Sequence, residues 1–249
     1  LYRQDFNMDP LGYWRQHDAP DRQGITEIRH VTGYLAFWDE LLRRHPKLRI
    51  DTCASGGRRN DLETLRRAVP LWRTDYILEP IGAQCCTYGI ASWIPFHGTG
   101  VKEPDAYHFR SMMSPYPNCL WDARRTDLDY DTLRRLLTQW QLAAPNYAGD
   151  FYPLTPYSLD RHAWIAWQFD RPQAGEGIVQ VFRREASVFR AGDLPLQGLC
   201  REERYLVTDL DAPDTPGEYT GETLLDTGLP VEIHSRPWAA LYHYRRVSQ

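Results

Sequence analysis

The chain has 249 residues, 42% of them hydrophobic and 25% charged, with a net charge of −4. That is enough for one large core or two smaller ones. Lys and Arg are scattered, which excludes the basic stripe a nucleic-acid partner needs, and no apolar run approaches the roughly 18 residues that span a bilayer. The five cysteines, Cys53, Cys85, Cys86, Cys119 and Cys200, are odd in number and contain no CxxC pair. A disulfide framework or a structural zinc site is therefore not expected. They read as mostly buried, reduced thiols, a set that favours a cytoplasmic setting. Aromatic residues reach 13%, with 9 Trp and 15 Tyr; they serve either a ring-rich core or the stacking of sugar rings, and composition alone favours the core.

No charged-then-apolar secretion signal opens the chain. Residues 1–5 read as the end of a strand, so further residues upstream are expected. Thr26–Leu42 is a helix with Thr26 as N-cap and Ile28, Val31, Leu35, Trp38, Leu41 and Leu42 at helical spacing; His45-Pro46 ends it. Leu48–Cys53 is a short strand, Asn60–Val69 an amphipathic helix and Pro70–Asp75 the next strand. A weak helix over Gln84–Ile90, strands over Ala91–Phe96 and Met112–Leu120, and a strong helix over Asp131–Leu142 follow. Asp129 and Asp131 read as caps of that last helix, and His30 and His45 as solvent-facing. Strand and helix alternating at these intervals predict βα units and a parallel sheet. From about residue 160 the pattern changes to short alternating strands at Ala163–Phe169, Gly177–Phe182, Tyr205–Asp209 and Ala239–Val247, with no convincing helix. An antiparallel sandwich is expected there. Gly149-Asp150 and the Pro153–Pro156 stretch mark the boundary.

Three segments at predicted strand ends are unusual. They are Tyr2-Arg3-Gln4-Asp5-Phe6-Asn7, Asp51-Thr52-Cys53-Ala54-Ser55-Gly56-Gly57-Arg58-Arg59-Asn60-Asp61, and Leu71-Trp72-Arg73-Thr74-Asp75. In a βα barrel the C-terminal strand ends line the active site. An acid there is also a common helix cap, and a Gly-Gly pair a common tight turn. The glycine spacing does not fit a GxGxxG nucleotide loop. Two acids at alternate strand ends, opening into one mouth, suit glycoside hydrolysis, where one carboxylate attacks and the other protonates the leaving oxygen.

Together the segments resemble glycoside hydrolase family 36, the α-galactosidases or melibiases. The family's Lys-Trp-Asp-Met-Asn is matched by Arg3-Gln4-Asp5-Phe6-Asn7. Its Cys-x-Ser-Gly-Gly-x-Arg-x-Asp is filled at every fixed position by Cys53, Ser55, Gly56, Gly57, Arg59 and Asp61. Its Trp-x-Ser-Asp is matched by Trp72-Arg73-Thr74-Asp75. Gly149–Leu154 resembles the segment before the family's C-terminal β domain.

The resemblance implies a partial (β/α)₈ barrel, strands four to eight, over residues 1–155, followed by an antiparallel β-sandwich over residues 156–249. Half a barrel leaves open sheet edges, so the N-terminal half is expected on the same polypeptide or from elsewhere. The implied chemistry is retaining hydrolysis of terminal α-galactosides, with Asp5 as ionised nucleophile and Asp75 as acid/base, held protonated by burial and its neighbour's charge. Arg3, Asn7, Cys53, Ser55, Gly56, Gly57, Arg59 and Trp72 would bind substrate. Of His97, in the loop Pro95–Gly100, either substrate contact or a structural role is open. No metal or organic cofactor is required. The implied partner is an oligosaccharide or glycoconjugate, with neither nucleic acid nor membrane, and room for a homo-oligomer. Arg3 for Lys, Gln4 for Trp, Tyr76-Ile77 after the acid, and the Pro95–Gly100 loop depart from the family pattern. They leave open an N-acetylgalactosaminide substrate, or a non-catalytic carbohydrate-binding relative.

Overall fold

A computed structural model describes residues 1–77 and 79–247. The chain divides into two compact units, Leu1–Asp75 and Tyr76–Gln249. It is a mixed α/β structure with a large antiparallel sheet. Among the described residues no helix is long and apolar enough to cross a membrane.

The first unit runs β1 (Tyr2–Asp5), α1 (Leu11–His17), α2 (Ile25–Arg44), β2 (Ile50–Cys53) and α3 (Leu62–Leu65). Strands β1 and β2 pair in parallel, with Arg3 opposite Asp51 and Asp5 opposite Cys53. The strand expected over Pro70–Asp75 does not form; the parallel bridge Asp51 with Val69 stands just before it. Pro70 has no N–H to continue a ladder.

Thr26 is not the cap of α2. Gly24 is, with φ +98°, and the Asp18 carboxylate accepts from the backbone N–H groups of Gly24 and Thr26 and from the Thr26 hydroxyl. The expected apolar stripe of α2 is only partly covered. Trp38 is fully buried with Ile50 and Ala68, and Tyr34, Leu41 and Leu42 pack against them, whereas Ile28 and Val31 are exposed. His30 is half-buried and not solvent-facing, because the Phe6 and Trp14 rings pack against it.

The second unit begins with α4 (Pro80–Ile90), β3 (Gly98–Val101), α5 (Ala106–Ser111), β4 (Tyr116–Cys119) and α6 (Tyr130–Ala143). Helix α4 starts earlier than the periodicity indicates, since Glu79 caps it through the Ile81 and Gly82 amides. Residues 91–96 form turns closing α4, not a strand, and β3 begins after them. Strands β3 and β4 are parallel. Asp129 caps α6 through the Thr132 amide, as its position predicts.

Next come β5 (Asp150–Pro153), β6 (Trp164–Arg171), β7 (Glu176–Arg183), β8 (Ala191–Leu194), β9 (Arg204–Asp209), β10 (Gly217–Thr220), α7 (Gly221–Asp226), β11 (Leu229–Glu232) and β12 (Trp238–Arg246). Helix α7 leaves no periodic signature in the sequence, because six residues are too few to register one; Thr220 caps it. The main sheet has the order β10-β9-β12-β7-β6-β5, and β11-β8 form a separate pair. Period-2 alternation assigns the faces. Ile165, Trp167 and Phe169 join the helical core with Phe109 and Leu136, while Ala166, Val179 and Val181 join Leu194, Leu224 and Val231. The layer over that second face is thus a two-stranded pair plus a short helix.

All five cysteines are free thiols, but only Cys53 and Cys85 are buried. Cys86 is half-buried, and Cys119 and Cys200 are exposed. The expectation of mostly buried thiols fails, because Cys119 ends the short strand β4 and Cys200 lies in a surface loop.

Candidate active site

The first unit builds its site from three chain segments held together mainly by side chains. Arg3 and Asp5 lie two apart on β1, so period 2 puts them on the same face. The Arg3 guanidinium donates to the Asp51 carboxylate and approaches Asp5 Oδ2 at 3.5 Å. Burial works against the charge on Arg3. The hydrogen bond and charge of Asp51, with Asp5 adding, outweigh that and raise its pKa, so it remains a cation.

The loop after β2 is shaped for close approach. Ser55, Gly56 and Gly57 take φ values of 47°, 69° and 97°, a conformation that costs a glycine little and a branched residue much. Asn7, just past β1, accepts at Oδ1 from the Ser55 backbone N–H at 2.9 Å and its hydroxyl at 3.1 Å. A Cβ on Gly56 would stand 2.3 Å from the Asp75 amide nitrogen and 2.4 Å from its carboxyl carbon. One on Gly57 would stand 2.0 Å from the Arg73 carbonyl oxygen. The glycines therefore let the loop lie directly on the segment that carries Asp75.

That segment lacks a strand ladder, and side chains substitute for it. Asp51 Oδ1 accepts from the Leu71 backbone N–H at 3.1 Å. Asn60 Nδ2 donates to the Arg73 carbonyl at 3.0 Å. Trp72 Nε1 donates to Asp75 Oδ1 at 2.8 Å. Asp61 caps the short helix α3, accepting from the Thr64 amide and hydroxyl.

Arg3, Asp5, Asn7, Cys53, Ser55, Gly56, Trp72 and Asp75 line one open cavity of about 290 Å³. Gly57 and Arg59 are not in that lining. The Arg59 guanidinium lies between the Phe6 and Tyr34 rings, 4.8 and 4.9 Å from their centroids, a cation–π clamp on the residue after Asp5. His97 is buried in the second unit, immediately before β3. Asp5 and Asp75 are both exposed, so the burial expected around Asp75 is not found within this chain. Among the described residues no group of three or more His, Cys, Asp or Glu side chains is arranged to hold a metal ion.

Sequence reasoning passed over Asp51 and Asn60. Both stand inside the quoted segments, yet their task, holding backbone groups of another segment, is visible only when the chain is folded. The signal available was a carboxylate alternating with Cys53 on the same strand.

No family model matches the chain. It is 25% identical over 246 residues to the probable α-galactosidase C of Aspergillus terreus, covering 93% of this chain and 32% of that protein. To the α-galactosidase C of Emericella nidulans it is 25% identical over 227 residues, covering 86% of this chain and 29% of that protein. The chain thus spans about a third of the length of these curated relatives.

Among solved structures, the α-galactosidase from Lactobacillus brevis superposes with a TM-score of 0.81 at 16% identity, over 99% of this chain and 35% of that one. The family 36 α-galactosidase AgaA from Geobacillus stearothermophilus, in complex with raffinose, gives 0.79 at 20% identity, over 98% and 35%. At such identities the likeness is one of fold. The resemblance to glycoside hydrolase family 36 read from the three motifs is borne out by both comparisons.

Proposed function

We propose that this chain carries the two catalytic carboxylates of a retaining α-galactosidase. The observation that carries the reading is the convergence of Asp5 and Asp75, from segments 70 residues apart in sequence, on one cavity also lined by Arg3, Asn7, Cys53, Ser55, Gly56 and Trp72. In this reading Asp5 attacks the anomeric carbon and forms a glycosyl ester, while Asp75 gives its proton to the leaving oxygen. Asp75 then takes a proton from water as the ester is hydrolysed. The Trp72 N–H occupies Asp75 Oδ1, which leaves Oδ2 to carry the proton. Arg3, Asn7 and Ser55 offer donors and acceptors to sugar hydroxyls, and the Trp72 ring a flat face for stacking. The two carboxylates supply the covalent and proton chemistry, so no cofactor is invoked.

The same reading takes residues 1–155 as strands four to eight of a (β/α)₈ barrel and residues 156–249 as its C-terminal antiparallel domain. The parallel pairs β1–β2 and β3–β4 support the former, and the six-stranded antiparallel sheet supports the latter. The substrate class is an α-galactoside oligosaccharide, of the kind raffinose represents in the AgaA complex.

The test is the leaving-group dependence of Asp75→Ala in the intact protein. Galactosides with poor leaving groups should lose about 10²–10⁴-fold in turnover, and activated aryl galactosides far less, because a stable leaving group needs no proton. Equal losses across leaving groups would make Asp75 structural and refute the assignment.

A further inference from the structure

Asp51 is the most buried carboxylate of the first unit, 3% exposed, and the chemistry described above does not use it. Burying a carboxylate is costly unless its oxygens are satisfied by donors. Here both are. Oδ2 accepts from Arg3, and Oδ1 accepts from the Leu71 backbone N–H at 3.1 Å. Those two donors lead to the two carboxylates of the cavity: Arg3 is two residues before Asp5 on β1, and Leu71 is four residues before Asp75. Asp51 is also opposite Arg3 in the β1–β2 register and forms the only bridge described to the third segment, at Val69. Beyond that bridge the backbone runs without a ladder, so the Leu71 contact is its first tie.

The Arg3 contact matters for a second reason. Its guanidinium already approaches Asp5 at 3.5 Å. Arginine prefers a two-toothed pair with a carboxylate. Freed from Asp51, it would close on Asp5 and occupy the oxygens that must attack. We infer that Asp51 is a positioning residue of this site: one buried carboxylate that holds Arg3 off the nucleophile and anchors the segment carrying the acid/base. This rests on the proposed function for its kinetic consequence, though not for its geometric one.

The experiment uses Asp51→Asn in the intact protein, with a nitrophenyl α-galactoside as substrate and galactose as inhibitor. Asparagine keeps the shape and an oxygen for the Leu71 N–H but removes the charge that holds Arg3. The expected kcat falls about a hundredfold, while the galactose inhibition constant changes less than about tenfold, since binding is shared by the rest of the lining. In an Arg3→Gln background the same substitution should cost little more, because its effect runs through Arg3. A crystal structure of Asp51→Asn should have Arg3 paired with Asp5.

Equal losses of kcat and galactose binding, independent costs in the double variant, or a variant that no longer folds by circular dichroism would each make Asp51 an ordinary core residue and overturn the inference. Parental turnover decides the proposed function separately. If the parent cleaves no galactoside, the crystal structure still decides the role of Asp51, and an unmoved Arg3 would refute it.

Discussion

The two units of this chain are built on different principles. In Tyr76–Gln249 the sheet is a continuous ladder with apolar clusters on both faces. Arg110, 1% exposed, is held by Asp211, Gln139 and the Ala239 carbonyl. In Leu1–Asp75 the core is Trp38, Ile50 and Ala68 with a few half-buried neighbours, and two strands and a bridge make up its sheet. What orders the cavity there is a set of side-chain hydrogen bonds: Asn7 to Ser55, Asn60 to Arg73, Asp51 to Arg3 and Leu71, and Trp72 to Asp75. A ladder fixes a backbone whatever side chains it carries. A side-chain tie fixes it only while that residue is present, so the first unit should be the more sensitive in activity and the second in stability.

The largest effect that would break this comparison is in the scaffold. Asp211→Ala removes the carboxylate from a buried guanidinium, and breaking such a pair costs about 3–5 kcal/mol. Chemical denaturation should register that loss in the second unit, with galactoside turnover of the folded fraction unchanged. A variant as stable as the parent would mean that Gln139 and the Ala239 carbonyl suffice for Arg110.

A smaller effect is expected in the first unit from Gly56→Ala. The new Cβ would meet Asp75 at both its amide and its carboxyl, and a left-handed φ adds about 1–3 kcal/mol of local strain. Turnover should fall about a hundredfold through displacement of Asp75, with the second unit melting as before. Parental turnover in this variant would mean that the loop is only a turn.

The smallest concerns pH. Asp170 is buried beneath Tyr244. Burial pushes its pKa up, and the charge of Asp150 adds to that, against the Tyr244 hydrogen bond, which lowers it. A carboxyl whose folded pKa lies above its unfolded one contributes stability that is full below the unfolded value, near 4, and is lost as pH rises through the folded value. Asp170→Asn should therefore remove part of the stability decline between acid and neutral pH and raise the melting temperature at pH 7. An unchanged pH slope would show that Tyr244 compensates the burial fully.

Much of this was legible in the sequence where the signal is local. The segments carrying Asp5, Asn7, Ser55, Gly56, Trp72 and Asp75 stand out in the sequence through their resemblance to family motifs, and the fold brings those residues to one cavity; α6 is legible because Leu133 and Leu136 keep a helical period. What stayed hidden depends on contacts between distant segments. The Thr26 cap failed because α2 begins a residue earlier, at Ile25, and Asp18, eight residues before Thr26, takes up the Thr26 amide and hydroxyl. Arg59 looked like a donor to substrate, but Phe6 and Tyr34, remote in sequence, take its two faces. Asp51 read as a strand residue because its partners, Arg3 and Leu71, lie 48 and 20 positions away.

The central claim is that Asp5 forms the covalent intermediate. Incubating the intact protein with a 2-deoxy-2-fluoro α-galactoside bearing a good leaving group slows deglycosylation enough to trap that intermediate. Peptide mapping of the trapped protein should find one galactosyl ester, on Asp5, and none in Asp5→Asn. A label on Asp75, on any other residue, or nowhere while the substrate is still turned over would contradict the account.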